Sequence, residues 1–89
     1  MSTLWIAAYN GYTAVVRVLI DRGADISKAR ASNGCTPFYV ASENGHVEVV
    51  RMLLEQGADI NKACDDGDTP LYIASEKGHV EVVRMLLEQ

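Results

Sequence analysis

Basic residues are the first shortage in this chain. Eight Lys and Arg face twelve Asp and Glu over 89 residues, a formal charge of -4, and nowhere do the basic residues cluster. Nucleic acid and anionic membrane are poor partners for such a surface, since both are held mainly through cationic patches. Long apolar runs are missing too. The most apolar stretch, residues 4–20, is interrupted by Asn10, Gly11 and Arg17 and has no basic leader, so it reads neither as a signal peptide nor as a membrane span. An intracellular, cytoplasmic setting is the resulting expectation. Cysteine is limited to Cys35 and Cys64, 29 positions apart, without CxxC spacing and without further cysteines to form a framework. In that setting free thiols are expected. With 89 residues the chain is one domain at most, and a compact core of that size would be only marginally stable.

What the sequence does contain is repetition. Residues Thr36–Gln56, TPFYVASENGHVEVVRMLLEQ, return as Thr69–Gln89, TPLYIASEKGHVEVVRMLLEQ, with differences only at Phe38/Leu71, Val40/Ile73 and Asn44/Lys77. A worn third copy runs from Ser2 to Arg22. Gly11, Gly45 and Gly78 stand 34 and 33 positions apart, a period that marks stacked supersecondary units. A stack does not need one compact core. Repetition also redirects the search for function. A catalytic residue is needed once, so a residue that recurs in phase is assigned to scaffold, and specificity is sought where the copies differ.

Within one repeat, Thr36 followed by Pro37 opens a helix: a hydroxyl at the N-cap, then a residue of preset φ with no amide hydrogen to leave unpaired. Thr69 and Pro70 do the same. Gly45 and Gly78 end these short helices by taking the left-handed conformation. A second helix follows, in which VEVVRMLLE places Glu48, Arg51 and Glu55 on one narrow stripe and wraps Val47, Val49, Val50, Leu53 and Leu54 around the rest. So wide an apolar arc requires contact with its own repeat and with a neighbour. The polar stripe is a solvated outer face carrying weak ion pairs. Gly23 and Gly57 close the second helices, and Asn33-Gly34 and Asp66-Gly67 favour tight hairpin turns in the connecting fingers. The first finger is one residue longer, which accounts for the unequal period.

Helix, turn, helix and finger, carried by TPFYVA, GHVEVVRMLLEQGADIN and TPLYIA, closely resemble the ankyrin repeat over nearly the whole chain. The resemblance implies an all-α repeat solenoid of stacked helix-turn-helix units with β-hairpin fingers. It implies a single domain over residues 1–89, with repeats near 1–34, 35–67 and 68–89, the first and last incomplete. It further implies binding of other proteins on the concave side and finger tips, without catalysis or cofactor. The chain departs from the family pattern in three places. Trp5, Tyr39 and Tyr72 stand where the family usually has a histidine bracing the turn. Cys64 and Ala31 stand where the fingers commonly carry Asp. The first repeat lacks the proline and begins at Ser2-Thr3.

Chemical constellations fare poorly. His46 with Glu48 and His79 with Glu81 could serve as acid and base, or could activate a cysteine, but they recur in phase and are assigned to packing. Asp65, Asp66 and Asp68 around Gly67 suggest a calcium loop, yet Cys64 and Lys62 occupy positions where that loop needs oxygen ligands. Zinc would need Cys35, Cys64, His46 and His79 to converge, which the repeat scatters. No catalytic, cofactor or metal site is expected.

The positions that vary between copies remain. At the turns between paired helices they are Tyr9 and Asn10, Glu43 and Asn44, and Glu76 and Lys77; at the finger tips, Ser32, Asn33 and Cys35, and Asp65, Asp66 and Asp68. Taken singly these are ordinary solvated turn residues. Together they form the expected surface for a protein partner. Tyr9 stands out as an aromatic where the other copies carry Glu, with packing against Trp5 and Tyr12 as its alternative role. The expectation is a non-enzymatic protein-binding module; the alternative is a structural fragment of a longer array. Weak self-association is expected through the repeat ends, where Val80, Val83 and Leu87, or Val82 with Met85, would lack cover.

Overall fold

In a computed structural model, which describes residues 2–89, six helices follow in pairs: α1 Thr3–Asn10 and α2 Thr13–Asp21, α3 Pro37–Glu43 and α4 Val47–Glu55, α5 Pro70–Glu76 and α6 Val80–Leu87. Each first helix starts at a hydroxyl. Ser2 Oγ, Thr36 Oγ1 and Thr69 Oγ1 accept from the backbone N–H three residues on at 3.0, 3.0 and 3.1 Å. Such a cap contributes about 1 kcal/mol. Glycine ends each turn between paired helices: His46 N–H reaches Ala41 O at 2.9 Å and Gly45 N–H reaches Ser42 O at 3.3 Å, with Gly45 at φ 71°. This is the Schellman closure, and it satisfies carbonyls that the short helix would leave open.

Paired helices lie antiparallel, and like helices stack. α1, α3 and α5 form an inner row and α2, α4 and α6 an outer row, so each repeat touches chiefly its neighbours. The middle repeat is covered on both sides: Phe38, Val49, Val50 and Leu53 are at most 1 % exposed. The outer stripe is solvated as expected. Arg51 pairs with Glu48, and Arg84 with Glu81 at 2.7 Å, whereas Glu55 joins no ion pair. At the two ends of the stack apolar side chains face water, among them Tyr12, Val18, Val80 and Leu87, the last two 67 % exposed.

The fingers depart from expectation. No strand occurs among the described residues. Each finger is instead a single turn closed by two backbone bonds: Arg30 N–H to Cys35 O at 2.8 Å and Gly34 N–H to Arg30 O at 2.7 Å in the first, Cys64 N–H to Asp68 O and Gly67 N–H to Cys64 O, both at 2.9 Å, in the second. The legs are too short to pair further. Among the described residues positive φ is confined to glycines, so Asn33 and Asp66 do not adopt the doubly positive hairpin turn. Their side chains fold back instead. Asn33 Oδ1 accepts from Cys35 N–H and Asp66 Oδ1 from Asp68 N–H, both at 3.0 Å, an arrangement that fixes the turn without a ladder.

Candidate functional site

The inner helices and the two fingers enclose a concave groove of about 580 Å³. One end is aromatic. The rings of Trp5 and Tyr9 stack at 5.5 Å between centroids and 13° between planes, and the Arg30 guanidinium lies over Trp5 at 5.1 Å. Trp5 Nε1–H donates to Cys35 O at 2.9 Å, which ties α1 to the first finger. Tyr9 is therefore both a packing partner of Trp5 and, at 45 % exposure, part of the groove surface.

The floor holds the main correction to the sequence reading. Cys35 and Cys64 are joined in a disulfide, with Cα atoms 4.3 Å apart, and are not free thiols. Stacking explains the pairing. Cys35 is on the returning leg of the first finger and Cys64 on the outgoing leg of the second, and adjacent fingers lie side by side, with Asp65 N–H bonding Asn33 O at 2.8 Å. Both sulfurs are buried in that seam. The free thiols expected from an intracellular setting are thus not found; among the described residues no helix is long and apolar enough to cross a membrane.

The other end is acidic. Glu43 from α3, Glu76 from α5 and Asp65, Asp66 and Asp68 from the second finger line the groove, against Arg30 and Lys77 as the lining cations among the described residues. Among the described residues none of these carboxylates joins an ion pair. Their mutual effect is visible in titration. Burial, and then Glu43, Asp68, Asp66 and Glu76, push the Tyr39 phenol up to about 12. Lost hydration, then Asp66 and Glu76, raise Asp68 above its ordinary value. Tyr72 is raised as well, first by the 2.9 Å hydrogen bond from its hydroxyl to Glu76 and then by the surrounding charge. In each, the neighbouring carboxylates add to a larger cause, burial for Tyr39 and Asp68 and the hydrogen bond for Tyr72.

Of the positions singled out in the sequence, the groove gathers Tyr9, Ser32, Asn33, Cys35, Glu43, Asp65, Asp66, Asp68, Glu76 and Lys77. Asn10 and Asn44 lie outside it. The Asn10 amide bonds Ile6 O at 3.0 Å, and the Asn44 amide bonds Tyr9 O at 2.7 Å. Sequence reasoning missed Trp5, Arg30, Tyr39, Val40, Cys64 and Ile73, which also line it. Trp5 and Tyr39 were set aside because an aromatic recurs at that register; their departure from the usual histidine was the available signal.

The histidines are spent on the stack. His46 Nε2 contacts Tyr9 O at 2.9 Å and His79 Nε2 contacts Glu43 O at 2.8 Å, each bridging to the preceding repeat. A carbonyl only accepts, so Nε2 carries the proton in both. Among the described residues no three His, Cys, Asp or Glu side chains converge as metal ligands.

The family model described as ankyrin repeats (3 copies) matches residues 2–89. No curated protein matches the chain.

Proposed function

Because the chain belongs to the ankyrin-repeat family, we propose that it is a non-enzymatic protein-interaction module that takes its partner in the concave groove and along the finger tips. Ankyrin repeats generally act as protein-interaction modules, which makes this the general expectation for the fold. One observation carries the assignment to this face. The capping hydroxyls and the histidines that recur in phase are consumed by caps and inter-repeat bonds, while the groove gathers Tyr9, Lys77 and the finger residues that differ between copies, together with carboxylates that join no ion pair among the described residues. A surface of unpaired charge beside stacked aromatics selects partners by electrostatic complementarity and offers an anchor for them.

The test is to select binders from a random peptide display library on the intact chain and measure the best of them against two variants. Charge reversal at Asp65, Asp66 and Asp68 is expected to weaken binding at least tenfold, since unpaired groove charges are exchanged for opposite ones. Substitution of Glu48 and Arg51 by Ala on the outer stripe is expected to leave it unchanged. Equal losses in the two variants would refute the concave-face reading.

A further inference from the structure

Two of the groove's three aromatic positions are copies of one another. Trp5 and Tyr39 occupy the same register three residues after their capping hydroxyls, Ser2 and Thr36, and they are 5 % and 4 % exposed. The Trp5 position is complete within the chain. The ring's polar hydrogen bonds Cys35 O, and a guanidinium from the first finger covers the ring. The residue that supplies it, Arg30, is the one whose N–H crosses its finger to Cys35 O. In the second finger the residue whose N–H makes the same crossing, to Asp68 O, is Cys64. Its side chain is uncharged and held in the disulfide. Tyr39 therefore receives no guanidinium from its own finger.

The surroundings of Tyr39 sharpen the contrast. Its ring is buried in the groove wall, while its hydroxyl makes no hydrogen bond among the described residues and stays accessible to solvent. Glu43, Asp66, Asp68 and Glu76 all act on that hydroxyl, and among the described residues none of them is neutralised by an ion pair.

Resting on the concave-face reading, we propose that the groove around Tyr39 is an arginine subsite, in which a partner's guanidinium brings to the Tyr39 hydroxyl and its carboxylates the positive charge that Arg30 brings to Trp5. The planar fork suits this place better than an ammonium. It donates to the phenol oxygen and to flanking carboxylates in one plane, where an ammonium acts as a point charge. The partner is accordingly a protein segment with an exposed arginine, and its affinity falls with salt.

The probe is a blocked pentapeptide, acetyl-Gly-Gly-Arg-Gly-Gly-amide, titrated into the intact oxidised chain by two-dimensional ¹H–¹⁵N NMR. Versions with lysine or the uncharged isostere citrulline serve as comparisons. Saturable shifts are expected at Tyr39, Glu43, Asp68 and Glu76, weaker ones with lysine and none with citrulline. Tyr39→Phe keeps the ring and removes the oxygen; binding should weaken about tenfold, the worth of one hydrogen bond to a charged group. Glu76→Gln, at an exposed position, should weaken it without moving the thermal midpoint. Equal shifts from arginine and citrulline, shifts confined to the outer stripe around Glu48 and Glu81, or undiminished binding by both variants would overturn the subsite. Should arginine-free peptides from the display selection occupy the groove while the pentapeptide is silent, the subsite falls and the concave-face reading stands. Silence of the groove to both sinks the two together.

Discussion

Two glycines with the same backbone conformation allow the contact between repeats to be weighed separately from backbone strain. Gly45 and Gly78 hold φ at 71° and 75°, so alanine at either incurs the left-handed penalty of roughly 1–2 kcal/mol. Their surroundings differ. A Cβ at Gly45 would lie 2.6 Å from His79 Nδ1, whereas one at Gly78 meets nothing within 4 Å. Gly45→Ala must therefore displace the imidazole, which then loses its 2.8 Å bond to Glu43 O. Forcing atoms into packed space costs about 1–3 kcal/mol and the lost bond about 1 kcal/mol. Gly45→Ala should thus exceed Gly78→Ala by about 2–4 kcal/mol in urea unfolding followed by far-ultraviolet circular dichroism. A double-mutant cycle isolates the cause. With His79→Ala the obstructing ring is gone, and Gly45→Ala should then cost no more than Gly78→Ala, a coupling of about 2–4 kcal/mol, the whole of the excess. Equal costs for the two single variants, or simple additivity in the cycle, would refute the view that the histidine seated on the preceding repeat's glycine joins the stack.

Two further outcomes are expected. Closing 29 residues with the Cys35–Cys64 bond should contribute on the order of 3–4 kcal/mol by restricting the unfolded chain, so Cys64→Ser or reduction should lower the urea midpoint accordingly; alkylation of two thiols in the native, untreated protein would contradict the bond. The Tyr39 phenol stands at about 12 in the folded chain against an ordinary 10.0, so between those values the folded state keeps a proton that the unfolded state has lost, and stability declines as pH rises through that window. Tyr39→Phe should flatten that alkaline decline, and urea midpoints falling equally steeply in both proteins from pH 10 to 12 would show otherwise.

Much of the scaffold was legible because its causes are local. Thr36-Pro37 and Thr69-Pro70 announce helix starts through groups two or three bonds from the backbone they cap, and Gly45 and Gly78 announce helix ends through their own φ. Groove residues such as Glu43, Asp66 and Glu76 were found because they lie at turns whose neighbours are already committed. What escaped depends on register between repeats. Cys35 and Cys64 sit at different places in their own fingers, so no spacing rule relates them, and only the side-by-side placement of the fingers brings their Cα atoms to 4.3 Å. The fingers likewise resemble hairpins by composition, but the length of their legs decides that side-chain bonds from Asn33 and Asp66 replace a ladder.

The clearest division lies between the two near-identical copies. The sequence by itself determined that Thr36–Gln56 and Thr69–Gln89 form the same helix pair, because caps, glycine turns and apolar period act within a few residues of themselves. Only the tertiary structure decided what each copy does. Tyr39 is 4 % exposed and Tyr72 51 %; Ser42 is buried and Ser75 exposed, though both hydroxyls bond the carbonyl four residues back. Burial depends on having a neighbour on both sides, and a repeat carries no information about its place in the stack. The same phenol thus becomes a wall of the groove in one copy and a solvated hydrogen-bond donor to Glu76 in the next.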